Sequence, residues 1–157
     1  MKNLLKRVIL IAVSAMALCL TGCKDIQNIK NIKVTSVAVE TVSPNGLRGM
    51  TVGLAVGVDN PSFHVDLSEI NGALKLSGKV LGRVTMDPFT LHGKSAEIYH
   101  LKAAVTIEPG VTLSELAALL DMETLNQCMV DVSARATLKN GLSKVLNFND
   151  IPVKDLL

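Results

Sequence analysis

The stretch VGLAVGVDNPSFHVDLSEI, residues 52–70, is a β-strand pattern with a break inside it. Apolar residues alternate with small or polar ones as far as Asn60-Pro61, and the alternation resumes at Phe63. Proline cannot donate to a strand ladder and holds the residue before it extended, while an asparagine side chain can bond its own backbone. We therefore interpret Asn60-Pro61 as the point where the chain passes from one sheet to another. A functional site in this loop is the alternative.

Alternation with a period of two continues through most of the chain beyond residue 33, which indicates half-buried strands. The apolar phase changes between Val65-Leu67 and Leu74-Leu76, and this change predicts a bulge or bend near Ser68–Asn71. Three long strands each have one face predicted to lie against the core. These faces are Met50, Val52, Leu54, Val56 and Val58 in the first strand; Tyr99, Leu101, Ala103, Val105 and Ile107 in the second; and Val130, Val132, Ala134, Ala136 and Leu138 in the third.

One segment, TLSELAALLDMETL from residue 112, has helical spacing instead. Thr112 or Ser114 can cap the helix, and Glu115 lies in its first turn. The pattern predicts one short helix over Thr112–Leu120. A single helix among about seven strands predicts an all-β fold, an antiparallel β-sandwich covered at one end by that helix.

The N-terminus has the features of a bacterial lipoprotein precursor. Lys2, Lys6 and Arg7 precede a short apolar run, which ends at Leu20-Thr21-Gly22-Cys23. This resembles the lipobox, in which cleavage falls between Gly22 and Cys23 and the cysteine becomes acylated. We therefore predict a signal peptide over residues 1–22, a lipidated tether over 23–33 and a sandwich domain over 34–157. An ordinary secretory signal with a chance cysteine is the alternative.

Charge and cysteine content limit the function classes. Cleavage removes three of the 16 basic residues and none of the 14 acidic ones, so the formal charge falls from +2 to −1. The mature chain therefore has no basic surplus for nucleic acid. With Cys19 removed and Cys23 acylated, Cys128 alone remains, and its place at a strand start predicts a buried, inert thiol.

One strand face is almost bare of side chains. Gly53 and Gly57 lie on the outer side of residues 50–59, and glycine within a strand often marks close approach by another group. We expect the helix over Thr112–Leu120 to cover this face; a plain solvated face and a ligand groove are the alternatives.

No catalytic or cofactor motif stands out. The sequence has no phosphate-binding glycine loop, nucleophile elbow or paired-cysteine metal motif. His64 is predicted to point the same way as Asp66 from one strand, His92 lies in a turn and His100 faces outward. Their spacing predicts scattered exposed histidines rather than a zinc site. We expect no enzyme activity, no metal and no cofactor.

The interrupted strand and the segments after it resemble the late embryogenesis abundant type 2 family, which carries the WHy domain. Asn60-Pro61, the segment Leu74–Val84 and the strand Leu101–Ile107 stand where that family has its strand ending in Asn-Pro, its second motif and its long strand. Ser62 stands where many members have asparagine. The resemblance spans about residues 33–152. It implies a fibronectin-III or immunoglobulin-like sandwich and a link to desiccation or osmotic stress.

We therefore expect a lipid-anchored, non-catalytic protein of the cell envelope with a structural or stress-protective role. A module that binds an apolar ligand, a lipid or an envelope protein complex is the alternative. Lys24 rather than aspartate follows Cys23, which favours the periplasmic side of the outer membrane in a Gram-negative cell.

Overall fold

The structure is a computed structural model, and it describes residues 32–155. The predicted signal peptide, the predicted acylation site Cys23 and the tether up to residue 31 lie outside these residues. The elements are β1 (Lys33–Asn45), β2 (Gly49–Asn60), β3 (Val65–Leu76), β4 (Lys79–Met86), β5 (Phe89–Leu91), β6 (Ser95–Ile107), α1 (Leu113–Ala118), α2 (Met122–Asn126), β7 (Cys128–Leu138), β8 (Ser143–Pro152) and a 3₁₀ turn (Val153–Asp155).

The strands form an antiparallel β-sandwich, as predicted. The hydrogen-bonded order is β1-β2-β6-β4-β3-β7-β8, and the short β5 pairs with the start of β3. Strands β1, β2 and β6 make one layer, and β3, β7 and β8 make the other. Strand β4 pairs with both β3 and β6, so it joins the layers along one side. Because β2 and β3 belong to different layers, Asn60-Pro61 is the crossing predicted from the sequence.

The core lies between the layers and follows the predicted faces. Val56 and Val105 are 4% and 7% exposed, whereas Thr106, the next residue along β6, is exposed. The predicted bulge is also confirmed, because the pairing of β3 with β7 shifts between Ser68 and Asn71, and Glu69 has φ +50°. The bulge moves the buried phase of β3 from odd to even positions.

The helical segment differs from the prediction of one helix. Thr112 caps α1 with a complete capping box, but the chain then breaks at Asp121, whose carboxylate caps a second helix, α2. The break arises because Asp121 accepts a hydrogen bond from the Thr124 backbone, a cap geometry that competes with a continuous helix. The two helices close one end of the sandwich over a second apolar cluster that includes Leu119, Leu125 and Cys128.

The sandwich therefore has two distinct ends. We call one the tether end: it comprises the start of β1 and the loops 61–64, 92–94 and 139–142. We call the other the helix end: it comprises the turns 46–48 and 77–78, the segment 108–127 and the 3₁₀ turn. Ile32 is 1% exposed within the main core and Lys33 begins β1, so both residues belong to the sandwich rather than to the tether.

Candidate functional site: the loops at the tether end

Asn60 holds the tether end together. Among residues 32–155 it is the only polar residue that is buried, and it has no exposed surface. Its Nδ2 donates to the carbonyl oxygens of Phe63 and His92, each at 3.0 Å, and its Oδ1 accepts from the backbone N–H of Ser62 at 3.0 Å. The amide thus forms an Asx turn after Pro61 and also bonds a loop 32 residues away in sequence. This geometry supports the interpretation that Asn60-Pro61 has a structural role, at the point where the chain passes between the sheets.

Gly93 makes this arrangement possible. A Cβ atom at this position would lie 2.8 Å from both the carbonyl carbon of Phe63 and the backbone nitrogen of His64. Because these are backbone atoms on a different loop, they cannot rotate away as a flexible side chain could. The close approach of the two loops therefore requires glycine here. Gly93 was not among the residues predicted to form a site, since its only local signal was a turn after His92.

His92 is the centre of a second set of contacts. Its Nδ1–H donates to Glu97 at 2.6 Å, and its backbone N–H donates to the Tyr99 hydroxyl oxygen at 3.0 Å. The Ser95 hydroxyl donates to the His92 carbonyl at 2.8 Å. These bonds fasten the loop 92–94 to the start of β6.

Electrostatics at this site follow from those contacts. The hydrogen bond from His92, followed by that from Tyr99, lowers the pKa of Glu97 below its usual value. Burial raises the pKa of the Tyr99 hydroxyl. Glu97 is therefore an anion that orients His92, and Tyr99 is a neutral hydroxyl at neutral pH. The Glu97 carboxylate, the His92 imidazole and the Tyr99 phenol thus form hydrogen bonds with one another and with the backbone.

The histidines are less scattered than expected. The ring centres of His64 and His92 lie 5.4 Å apart, although residues 64 and 92 are on different loops. His100 lies away from this pair, with its Nδ1 3.0 Å from the carboxylate of Glu40 on β1. Within residues 32–155, no group of three or more histidine, cysteine, aspartate or glutamate side chains could hold a metal ion.

His64 and Asp66 do not lie on one strand, contrary to the prediction. Strand β3 begins at Val65, so His64 lies in the loop before it, where alternation does not determine the direction of a side chain. His64 instead contacts the ring of His92, and Asp66 accepts a hydrogen bond from the Thr90 hydroxyl at 2.5 Å.

A shallow cavity of about 260 Å³ also lies at the tether end. Its walls come from the loop after Pro61 and from the hairpin that joins β7 to β8. The lining residues are Phe63, His64, Leu138, Lys139 and Asn140. The cavity is thus at the end of the sandwich and is not enclosed between its two layers.

The bare face of β2 is covered, but not by the helix that we expected. A Cβ atom at Gly53 would overlap the Thr41 hydroxyl, and one at Gly57 would overlap the hydroxyl of Ser36. Both partners belong to edge strand β1, directly opposite the glycines and beside its two register shifts. The bulges turn these hydroxyls over β2, and the helices lie at the end of the sandwich instead. The alternative of a ligand groove is excluded at these two positions for the same reason.

Cys128 is buried, as predicted. It has no exposed surface, and burial raises the pKa of its thiol. The thiol lies 3.5 Å from the Thr124 carbonyl oxygen in the cluster beneath the helices. A thiol in this environment is protonated and poorly nucleophilic.

No family model matches this sequence, and no curated protein is significantly similar to it. Three solved structures show weak similarity. A protein from Archaeoglobus fulgidus is 12% identical with a TM-score of 0.44, over 75% of this chain and 94% of that one. The GAE domain of yeast GGA1 is 10% identical with a TM-score of 0.30, over 74% and 96%. The periplasmic chaperone SfaE is 17% identical with a TM-score of 0.26, over 74% and 57%.

These similarities are too weak to support any statement about function. The fold class rests on the strand pairing and the burial of this chain. Among residues 32–155, no helix is both long enough and apolar enough to cross a bilayer.

Proposed function

We propose that this protein is a lipid-anchored, non-catalytic protein of the cell envelope, with a structural or protective role under osmotic or drying stress. The proposal rests on one observation: the polar side chains around the interrupted strand make structural hydrogen bonds. Asn60 uses its side-chain amide to hold loops together, and His92 is bonded to Glu97 and to the start of β6. These groups build a rigid end of the sandwich.

The anchor is proposed from the segment Leu20-Thr21-Gly22-Cys23. Acylation at Cys23 adds two or three chains to the protein, and each buried methylene contributes about 0.8 kcal/mol to membrane binding. Lys24 after the cysteine supports sorting to the outer membrane in a Gram-negative cell. The stress role is supported by the resemblance to the late embryogenesis abundant type 2 family.

The anchor is tested with Cys23→Ser. We expect this variant to lose acylation, measured by incorporation of labelled palmitate, and to leave the membrane fraction or accumulate as an uncleaved precursor. Ser14→Ala, within the apolar run, is the matched control and should be processed normally. Normal processing and membrane partition of Cys23→Ser would refute the lipoprotein assignment.

The non-catalytic role is tested with the histidines, which are the general acid–base candidates of this chain. We expect a variant with His64, His92 and His100 all replaced by alanine to complement a deletion strain under drying or osmotic stress. Circular dichroism establishes that the variant is folded. A folded variant that fails to complement would return a catalytic or metal site to consideration.

A binding module is the second candidate, and the cavity at the tether end favours it. Phe63, Leu138 and Lys139 all line the cavity, and an apolar wall that includes a lysine is suited to an amphipathic molecule. Mass spectrometry of lipids that copurify with the protein tests this candidate. Leu138→Trp should fill the cavity and reduce a bound lipid, whereas Val145→Trp, on exposed strand β8, should not.

A further inference from the structure

We propose that the tether end of the sandwich rests directly on an anionic lipid surface, with Leu142 at the contact and the helix end pointing away from the membrane. The inference rests on the proposed acylation of Cys23 and goes beyond it. An anchor alone leaves the domain free to adopt any orientation. The reach of the tether and the charge distribution of this chain each select one.

The reach of the tether limits the orientation first. Nine Cα–Cα steps separate Cys23 from Ile32, and a fully extended chain spans at most ~3.3–3.6 Å per residue, so the tether reaches roughly 30 Å. Strand β1 has 13 residues, which at ~3.3 Å per residue place the helix end about 40 Å beyond Lys33. An inverted domain would need Lys33 about 40 Å above the bilayer, which the tether cannot provide. The tether end is therefore held near the membrane.

The distribution of charge selects the same orientation. The loops 61–64, 92–94 and 139–142 contain two exposed lysines, Lys94 and Lys139, and no carboxylate. The adjoining strand ends add Lys33 and Lys144 and the carboxylates of Asp59, Asp66 and Glu97, so this end as a whole has four basic and three acidic residues. The turns 46–48 and 77–78 with the segments 108–127 and 153–155 contain five carboxylates and two basic residues. Anionic lipid attracts the first set of loops and repels the second.

The balance at the helix end includes two ion pairs. Glu115 is bonded to Lys79 at 2.6 Å, and Glu108 is paired with Arg83. Even with these two cations the helix end has no surplus of positive charge. The two ends therefore differ in sign: the tether end has one more basic than acidic residue, and the helix end has one more acidic than basic residue.

Exposed apolar groups also lie at the tether end. Leu142, at the tip of the β7–β8 hairpin, is 66% exposed next to Gly141. The cavity lined by Phe63 and Leu138 opens beside the same hairpin. An exposed leucine flanked by a lysine at the same loop suits the boundary between headgroups and acyl chains. The helix end also has exposed apolar residues, and the tether holds them away from the anchoring membrane; they are Leu47, Leu113, Leu120 and Met122.

Site-specific fluorescence on the acylated protein tests this orientation. Leu142→Cys carries an environment-sensitive fluorophore, and Leu47→Cys carries the same label as the matched control. The native cysteines do not interfere, because Cys128 is buried and Cys23 is acylated. The proteins are incorporated into phosphatidylcholine vesicles with and without phosphatidylglycerol, and flotation establishes anchoring.

We expect a blue shift and protection from aqueous iodide at Leu142 in vesicles with phosphatidylglycerol, which weaken at high salt. The label at Leu47 should remain accessible. Each lysine near an anionic surface contributes about fivefold to the equilibrium constant for docking, so Lys94→Gln with Lys139→Gln should lower that constant roughly 25-fold. The control pair, Lys102→Gln with Lys154→Gln, should leave it unchanged.

Four results would overturn the inference. Flotation with an aqueous signal at Leu142 refutes the orientation and leaves the anchor intact. Equal shielding at Leu142 and Leu47 also refutes it. Shielding at Leu142 in native envelopes but not in protein-free vesicles assigns this end to a protein partner. Failure of the acylation-competent protein to float refutes the proposed anchor, and this inference with it.

Discussion

Replacing Asn60 with alanine removes three hydrogen bonds from a position without solvent access. The change leaves the carbonyls of Phe63 and His92 and the N–H of Ser62 without this partner. A typical hydrogen bond contributes about 0.5–1.5 kcal/mol net, and a buried group left unpaired costs about 1–3 kcal/mol. Some of the three groups will recover water at the loop surface. We therefore expect Asn60→Ala to lower the free energy of unfolding by about 2–4 kcal/mol.

Urea-induced equilibrium unfolding followed by circular dichroism measures this loss. The midpoint should fall at unchanged m-value, and Tm should drop by roughly 10 °C. Asn71→Ala is the matched control, because Asn71 is exposed and makes one bond, from Nδ2 to the Glu69 carbonyl at 2.8 Å. The control should cost less than about 1 kcal/mol. If Asn60→Ala costs no more than Asn71→Ala, Asn60 does not hold the tether end together.

Four further substitutions test the fold. Val105→Asp should cost more than about 4 kcal/mol, because it buries an unpaired charge, and Thr106→Asp should stay within about 0.5 kcal/mol; equal losses in denaturant would show that the register of β6 is wrong. Gly93→Ala should cost about 1–3 kcal/mol in the same assay, since its Cβ meets backbone, and no loss would mean that the loops do not touch. Bonds from Lys79 and the Thr112 backbone lower the pKa of Glu115 from 4.5 to about 2. Its stabilisation is thus present above pH 4.5 and lost as the pH falls towards 2. The Tm difference between wild type and Glu115→Gln should therefore shrink over that range, and a constant difference would refute the pairing.

The alternating pattern was sufficient to predict the faces of the long strands. A strand has only two faces, so a period of two determines which residues are buried once one apolar face is known. Val56 and Val105 follow this rule, and the phase change before Asn71 led correctly to the bulge. The crossing at Asn60-Pro61 could also be predicted, because proline and an Asx turn restrict the backbone of their immediate neighbours.

Contacts between distant segments were not predictable in this way. The sequence identified Gly53 and Gly57 as a close-contact face but not its occupant, since the register shifts of β1 turn Ser36 and Thr41 over β2. A helical spacing also did not show that Asp121 would begin a second helix. Whether a second helix begins at Asp121 depends on packing beneath the helix end, because the cap alone contributes only about 1 kcal/mol.

At the tether end, too, local features could be predicted from the sequence and contacts between distant segments could not. Local chemistry predicted a turn at Asn60, whereas its bond to the His92 carbonyl, the backbone contact at Gly93 and the approach of His64 to His92 join segments about 30 residues apart. No spacing rule connects such positions, because loops lack the periodicity that strands and helices impose. They come together only when the two layers pack, and packing depends on the whole set of buried side chains at once.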